Sequence, residues 1–199
     1  MGSKERILRL KELTRRKILK AALSIVRQEG WQALSMRRIA DEIDYTAPVI
    51  YEYFKGKEEL IGELSATGFK TLAAAIRIAK NSAPTAPRKL EAMWQAYWNF
   101  AFAEKELYQA MFGVEVSCSS MKEGFAKDNE IPALFGEVLK ELMRGRNTAE
   151  EQISTKYYTM WSAVHGLVSI NLVNKGRSEA FNQAVLHEAI GNTIRPLVS

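Results

Sequence analysis

The segment from Ser35 to Leu60 constrains this chain more than any other. Met36, Ile39, Ala40 and Ile43 fall at i, i+3, i+4 and i+7, the spacing of one helical face. Ser35 stands just before them, where its hydroxyl can accept from the free N–H groups of a first helical turn. Asp44 and Tyr45 then make a tight turn, and Thr46 is the next N-cap. Pro48 falls in the following first turn, where a missing N–H is tolerated. Val49, Ile50, Tyr53 and Phe54 are expected to face inward, leaving Thr46, Ala47, Tyr51 and Glu52 more exposed, with Gly56 ending the helix or capping the next. A second short helix that keeps small, aromatic and hydroxyl side chains outward is built to be pushed into a partner. The commonest partner is the major groove of DNA.

Lys57 is an anomaly in this pattern. Glu58 and Glu59 suit the positive end of a helix dipole, and a lysine there does not. A phosphate oxygen over that helix end would satisfy both the lysine and the free N–H groups. The plainer alternative is a solvated surface lysine.

Charge is unevenly spread. Residues 1–20 hold Lys4, Arg6, Arg9, Lys11, Arg15, Arg16, Lys17 and Lys20 against Glu5 and Glu12, a local +6, so the rest of the +5 chain nets to −1. A basic arm leading into a helix-turn-helix suits phosphate contact, above all for Arg15 and Arg16; for Lys4 to Lys11 a solubilising tail explains the charge equally well. At 199 residues the chain can bury a real core, as one large domain or two small ones. No apolar run approaches a membrane span and no apolar signal segment follows Met1, so a cytoplasmic location without membrane contact is expected. Cys118 is alone, which excludes an intrachain disulfide framework and suits a buried inert thiol.

The remainder has helical period and no strand signals. Helices are expected over about 56–79, from Pro87 through Phe102, over 106–112, from Pro132 to about Arg144, from a Thr148 cap to about Val173, and from a Ser178 cap to about Arg195, before Pro196. Residues 81–87 read as the clearest linker, 113–130 as irregular, and Asn174-Lys175-Gly176 as a helix stop. The expected fold is all-α with about nine helices and no internal repeat: a three-helix helix-turn-helix domain over 1–55 and a larger helical domain over 56–199, joined by the 56–79 helix.

Some dozen positions match the TetR family of transcriptional regulators in register: Arg16-Lys17-Ile18-Leu19-Lys20-Ala21-Ala22, Glu29-Gly30-Trp31, Leu34-Ser35-Met36-Arg37-Arg38-Ile39-Ala40 and Val49 through Leu60. The chain resembles that family over roughly residues 14–64. Asp44 departs from it, standing where the family usually has Gly in the turn; Asp tolerates left-handed backbone better than most residues. The resemblance implies a DNA-binding regulator, most simply a ligand-responsive repressor acting as a homodimer on a palindromic operator. It also implies that the larger domain binds a small effector and dimerises. Trp161-Ser-Ala-Val-His165-Gly166 resembles a Trp-His-Gly signature of one TetR subgroup.

On this reading Arg37, Thr46, Ala47, Pro48, Val49 and Glu52 meet bases, while Ser35, Tyr51, Tyr53 and Lys57 position the DNA backbone. For the effector, Trp94, Trp98 and Phe102 lie on one stripe, with Met111, Phe112, Tyr158, Trp161 and His165 as further candidates. The same stripe would also serve as plain core. A mostly apolar cavity with a few polar handles would take an apolar or aromatic ligand. His165 reads as a hydrogen-bonded core residue; no metal site, other cofactor or catalytic residue is expected, since no His or Cys cluster has metal spacing. The last two helices carry small or β-branched residues in their middles: Ala163, Val164, Gly166 and Val168, then Ala184, Val185, Ala189 and Ile190, with Leu167 and Glu188 beside them. An interior Gly166 costs roughly 1 kcal/mol against Ala, which is easier to explain where another backbone comes close. Four such helices from two chains would form a bundle. A protein-binding adaptor and an all-helical enzyme stay open as other classes, the latter without any supporting residue cluster.

Overall fold

The computed structural model describes residues 2–113, 130–145, 149–174 and 177–198. Cys118, the Thr148 cap and the Lys175-Gly176 stop lie outside them. Among the described residues the chain is all-helical. It forms α1 (Ser3–Glu29), α2 (Met36–Glu42), α3 (Ala47–Tyr51), α4 (Lys57–Ser82), α5 (Ala86–Ala103), α6 (Lys105–Phe112), α7 (Ile131–Leu142), α8 (Glu150–Asn174) and α9 (Glu179–Val198), with a 3₁₀ turn at Trp31–Ala33. These make two compact units, Met1–Gly68 with Glu106–Lys127, and Phe69–Lys105 with Asp128–Ser199. The chain therefore passes between units within α4, after the first residue of α6, and again between residues 127 and 128.

The first unit is built on the C-terminal half of α1. Ile18, Ala21, Ala22, Ile25 and Val26 form its buried face. Gly30, at φ 84°, turns the chain away, and Trp31 is then buried with its indole N–H donating to Gln109 on α6 at 3.0 Å. Gln109 is itself buried, so each polar group satisfies the other. Ser35 caps α2 as its position predicted: Oγ accepts from the Arg38 N–H at 3.1 Å. Met36, Ile39, Ala40 and Ile43 are all buried.

Asp44 has φ 58°, the left-handed conformation that the turn requires, and the Tyr45 N–H closes the turn on the Ala40 carbonyl at 2.9 Å. α3 is shorter than expected and rests on Ile50 and Phe54, one turn apart and both buried. Val49 and Tyr53, expected inward, sit only half-buried beside that line. Thr46 holds the N-cap position, but its side chain makes no capping bond; its backbone carbonyl accepts from Val49 and Ile50 instead.

The second unit packs α5 against α7, α8 and α9, and α7 and α9 against α8. Leu90, Met93, Trp94, Tyr97 and Ala101 on α5 meet a core that includes Phe135, Leu139, Met160, Val164, Val168, Leu186 and Ile190. The expected linker over 81–87 shrinks to residues 83–85, because α4 continues to Ser82 and α5 starts at Ala86. Ser178 caps α9 as expected, its Oγ accepting from the Phe181 N–H at 3.3 Å. That helix does not stop at Arg195. It continues through Pro196 to Val198, and burial of Ile194 and Leu197 holds a last turn that lacks one backbone donor. Among the described residues, no helix is long and apolar enough to cross a membrane.

Candidate nucleic-acid interface

Two adjacent arginines on α2 have opposite fates. The Arg38 guanidinium is held by Glu29 at 2.7 Å and Glu42 at 2.9 Å, and these hydrogen bonds push its pKa up. It fastens α2 to the end of α1. Arg37, one residue earlier and on the outer face, is exposed and makes no hydrogen bond or ion pair among the described residues. Its guanidinium is available to a partner.

The other cations near the reader divide in the same way. Arg15, expected to meet phosphate, donates instead to the Tyr53 carbonyl at 3.0 Å, pairs with Glu63 at 3.3 Å and lies 4.3 Å from the centre of the Phe54 ring. The reason is local: a chain leaving a five-residue helix has unpaired carbonyls, and a planar guanidinium can serve one of them while stacking on an aromatic face. Lys17 Nζ donates to the Ile43 carbonyl at 3.1 Å and sits 5.0 Å over the Tyr45 ring. Lys57 also has a partner within the protein, the Trp31 carbonyl at 3.0 Å. That contact accounts for a lysine at the wrong end of a helix without a phosphate, although the ammonium keeps further hydrogens to donate. Arg16 stays exposed and, among the described residues, pairs only with Glu12 one turn away.

With those cations engaged, the outward surface consists of Arg37, Thr46, Pro48, Tyr51 and Glu52, with Ala47, Val49, Tyr53 and Lys57 at its border and the Ser35 oxygen used in its cap. Tyr45, read from sequence only as a turn residue, adds a half-exposed ring to this surface.

The expected effector residues split between the units. Met111 and Phe112 belong to the first. There a Cβ on Gly68 would fall 2.5 Å from Met111 Sδ, so α6 and α4 approach as closely as a glycine permits. Trp94, Trp98, Phe102, Tyr158, Trp161 and His165 belong to the second. Trp94 is fully buried and stacks on Phe135 with ring centroids 4.1 Å apart; Tyr157 lies 6.1 Å away. From Tyr157 the rings run on through Tyr158 and Trp161 to His165, which stacks on Trp161 at 4.7 Å. Phe102 and Tyr158 are exposed rather than core. Phe135, Tyr157 and Tyr97, which complete the cluster, were not singled out from the sequence; only the buried period of their helices hinted at them.

Polar atoms in this cluster are sparse. His165 Nδ1 lies 3.1 Å from the Tyr97 hydroxyl. Burial lowers the His165 pKa and raises that of Tyr157, so both are neutral near pH 7. The Trp94 indole N–H is buried with no acceptor among the described residues.

Among the expected dimer residues, Val164 is a correction: it is buried in the protomer's own core. Gly166, Leu167, Val185 and Ala189 are half-buried, and Ala184 and Glu188 are exposed.

A helix-turn-helix with a projecting second helix, in one chain with a separate helical bundle, is the architecture of a DNA-binding regulator. The sequence matches the family model for bacterial regulatory proteins of the tetR family over residues 18–64, and that for a tetracyclin repressor-like C-terminal domain over residues 90–191. The chain belongs to the TetR family of transcriptional regulators; it is a DNA-binding regulator of transcription and not an enzyme. The C-terminal match does not by itself show the Trp-His-Gly subgroup. No curated protein matches the sequence.

Among solved structures, a protein of unknown function from Rhodococcus sp. RHA1 is similar, with TM-score 0.72 and 24% identity over 93% of this chain and 95% of that one. The fatty acid degradation regulator FadR from Bacillus halodurans gives TM-score 0.69 and 18% identity over 89% and 94%. A regulatory protein in the tetR family from Rhodococcus RHA1 gives 0.65 and 16% over 92% and 96%. At these identities the likeness concerns the fold.

The two arginines separate stability from recognition. Arg37→Ala is expected to melt at the parent's temperature and to lose ~1–3 kcal/mol of discrimination at one base pair. Arg38→Ala is expected to melt lower and keep its preference. Thermal melts and competition with single-base variants of a bound site check both. A second expectation concerns pH. Because the folded pKa of His165 is lowered, the unfolded chain binds the extra proton first. Stability is therefore full above the ordinary histidine value of about 6.5 and falls as the pH drops through it. Melting curves across that range should show the loss, and His165→Asn should flatten it.

Proposed function

We propose that the protein is a ligand-responsive repressor that binds a near-palindromic operator as a homodimer in the cytoplasm. The observation that carries this is the exposed face of α3 and α2, where Arg37 has no partner among the described residues and the Thr46 hydroxyl is left free of its capping role. Arg37 suits a guanine edge, Ala47, Pro48 and Val49 suit thymine methyls, and Thr46 and Glu52 supply further base contacts. Ser35, Tyr51, Tyr53 and the spare hydrogens of Lys57 hold the DNA backbone. Two such readers about 34–36 Å apart enter successive major grooves. Residues 1–55 serve as the reader, 56–199 as the effector and dimerisation domain.

The dimer face lies on α8 and α9. Thr155, Thr159, Ser162, Ala163, Gly166, Ile170 and Val173 recur at helical spacing on one side of α8, and Ile170, Val173 and Phe181 expose large apolar surface. A Cβ on Gly166 would meet nothing within 4 Å among the described residues, so nothing there explains the cost of a glycine. Gly166→Leu is accordingly expected to fold as the parent does. In sedimentation it should run as a monomer, and its operator affinity should fall at least tenfold. A dimer of parental affinity would remove this face from the reading.

The effector site is the cluster of Trp94, Trp98, Tyr157, Trp161 and His165 in the second unit. A buried N–H without an acceptor costs about 1–3 kcal/mol, and a ligand oxygen on Trp94 would recover it. Neutral Tyr157 and His165 supply polarity without charge, which suits an apolar or aromatic ligand bearing an uncharged acceptor. α4 carries residues of both units, so a ligand that binds one arrangement of that helix better than another shifts operator affinity by that difference and no more. Trp94→Phe keeps a ring on Phe135 and deletes the donor. In operator-release titrations with an inducing ligand, it should need about tenfold more of that ligand, the worth of one hydrogen bond of about 1–1.5 kcal/mol. Release at the parent's concentration would exclude Trp94 as the handle.

A further inference from the structure

The first three turns of α1 have no counterpart in the packing of the unit that contains them. α1 is one continuous helix from Ser3 to Glu29, yet residues 2–13 are exposed throughout. At 1.5 Å per residue, Ser3 to Leu13 extends about 16 Å beyond the level at which Arg15 touches the end of α3. The extension carries Lys4, Arg6, Arg9 and Lys11, none of which makes an ion pair among the described residues. Ile7, Leu8, Leu10 and Leu13 are more than half exposed on it.

Helical period gives these residues a direction. Seven residues turn a helix almost twice, so positions seven apart stay close to one line. Ile25 and Ile18, which lie in the reader's core, lead back along that line to Lys11 and Lys4. Lys4, Ile7 and Lys11 continue the core stripe, Leu10 and Arg6 lie at its border, and Arg9, seven residues before Arg16, faces away from it. Glu5 and Glu12 fall on the far side, where Glu5 accepts from the Gly2 N–H and Glu12 pairs with Arg16. The extension thus presents Lys4, Lys11 and, at the border, Arg6 on the side of α1 that bears the helix-turn-helix, and keeps Glu5, Glu12 and Arg9 away from it.

We infer that this extension is a second DNA contact, an arm that grips the phosphates flanking the segment read by α2 and α3. It rests on the DNA-binding reading of that reader and adds a sequence-independent term to it. A polyanion is the occupant that three unpaired cations toward the reader, with a fourth behind them, fit. An anionic membrane is the poorer fit, because a stripe of three turns with Ile7 on it and Leu10 at its border buries too little for stable anchoring.

The test compares the full chain with a variant carrying Lys4→Gln, Arg6→Gln, Arg9→Gln and Lys11→Gln. Glutamine preserves helix propensity, and the positions lie outside the core, so the variant should melt as the parent does. Binding is measured by fluorescence anisotropy between ~50 and ~200 mM salt. The duplexes are an operator selected from genomic fragments and a scrambled duplex, each extending a full helical turn beyond the reader. The variant is expected to bind both at least tenfold more weakly at the low-salt end. Its plot of log affinity against log salt should be shallower by about 0.9 for each phosphate that the arm no longer neutralises, and its preference for the operator unchanged.

Parental affinity and slope in the variant would overturn the arm and leave the reader standing. A parent that binds neither duplex would overturn both. Vesicles of phosphatidylglycerol and phosphatidylcholine form the last arm of the experiment. Charge-dependent sedimentation of the parent with them, together with unaltered DNA binding by the variant, would assign the surface to membrane instead.

Discussion

α3 has five residues, far fewer than a helix needs to persist in water by itself. Its shape is imposed from outside, and the decisive constraint is the turn before it. Asp44 takes a left-handed conformation, the Tyr45 N–H closes on the Ala40 carbonyl, and the direction of α3 relative to α2 is thereby set. Ile50 and Phe54 then anchor the segment on one buried line, while Arg15 and Lys17 reach from α1 to the carbonyls left at the ends of α3 and α2. Everything proposed about DNA depends on this packing, because a projecting helix can be read by a groove only if its outer side chains have nothing to do inside.

The cations around the reader illustrate how the protein allots one chemistry to two tasks. Arg15, Lys17, Arg38 and Lys57 satisfy carbonyls and carboxylates within the first unit. Arg37 and the four cations of the α1 extension have no such partner among the described residues. A charge already held in a bidentate pair offers little to a phosphate, since each new bond must compete with one already made. The division between structural and available cations therefore follows from hydrogen-bond geometry, and net charge does not reveal it.

In the second unit the same question falls on a single atom. Rings from α5, α7 and α8 close around Trp94 and leave its N–H without an acceptor among the described residues, while neighbouring Tyr97 and His165 serve one another. A close-packed core ordinarily pairs every buried donor. α6, though it follows α5 directly, is bound to the reader through Trp31–Gln109 and Arg27–Glu106. The second unit is thus joined covalently to the first at three points, within α4, at the start of α6 and between residues 127 and 128.

Sequence by itself determined the helical class, the helix-turn-helix, its Ser35 cap and its turn, because each of these is local. A hydroxyl at Ser35, apolar residues at 36, 39, 40 and 43 and a turn-tolerant Asp44 act within a few positions of one another. It also marked Arg37 and the stripe of Trp94 and Trp98 as places of interest. Spacing along the chain carried no information on what lies across from a residue. That Lys57 answers to Trp31, Arg15 to Tyr53, and Trp94 to Phe135 and Tyr157 involves partners 26 to 63 residues away, and only tertiary packing chose them. The same packing buried Val164, left Tyr158 outside and carried α9 past Pro196, since burial depends on which faces meet, whereas periodicity says only that a face exists.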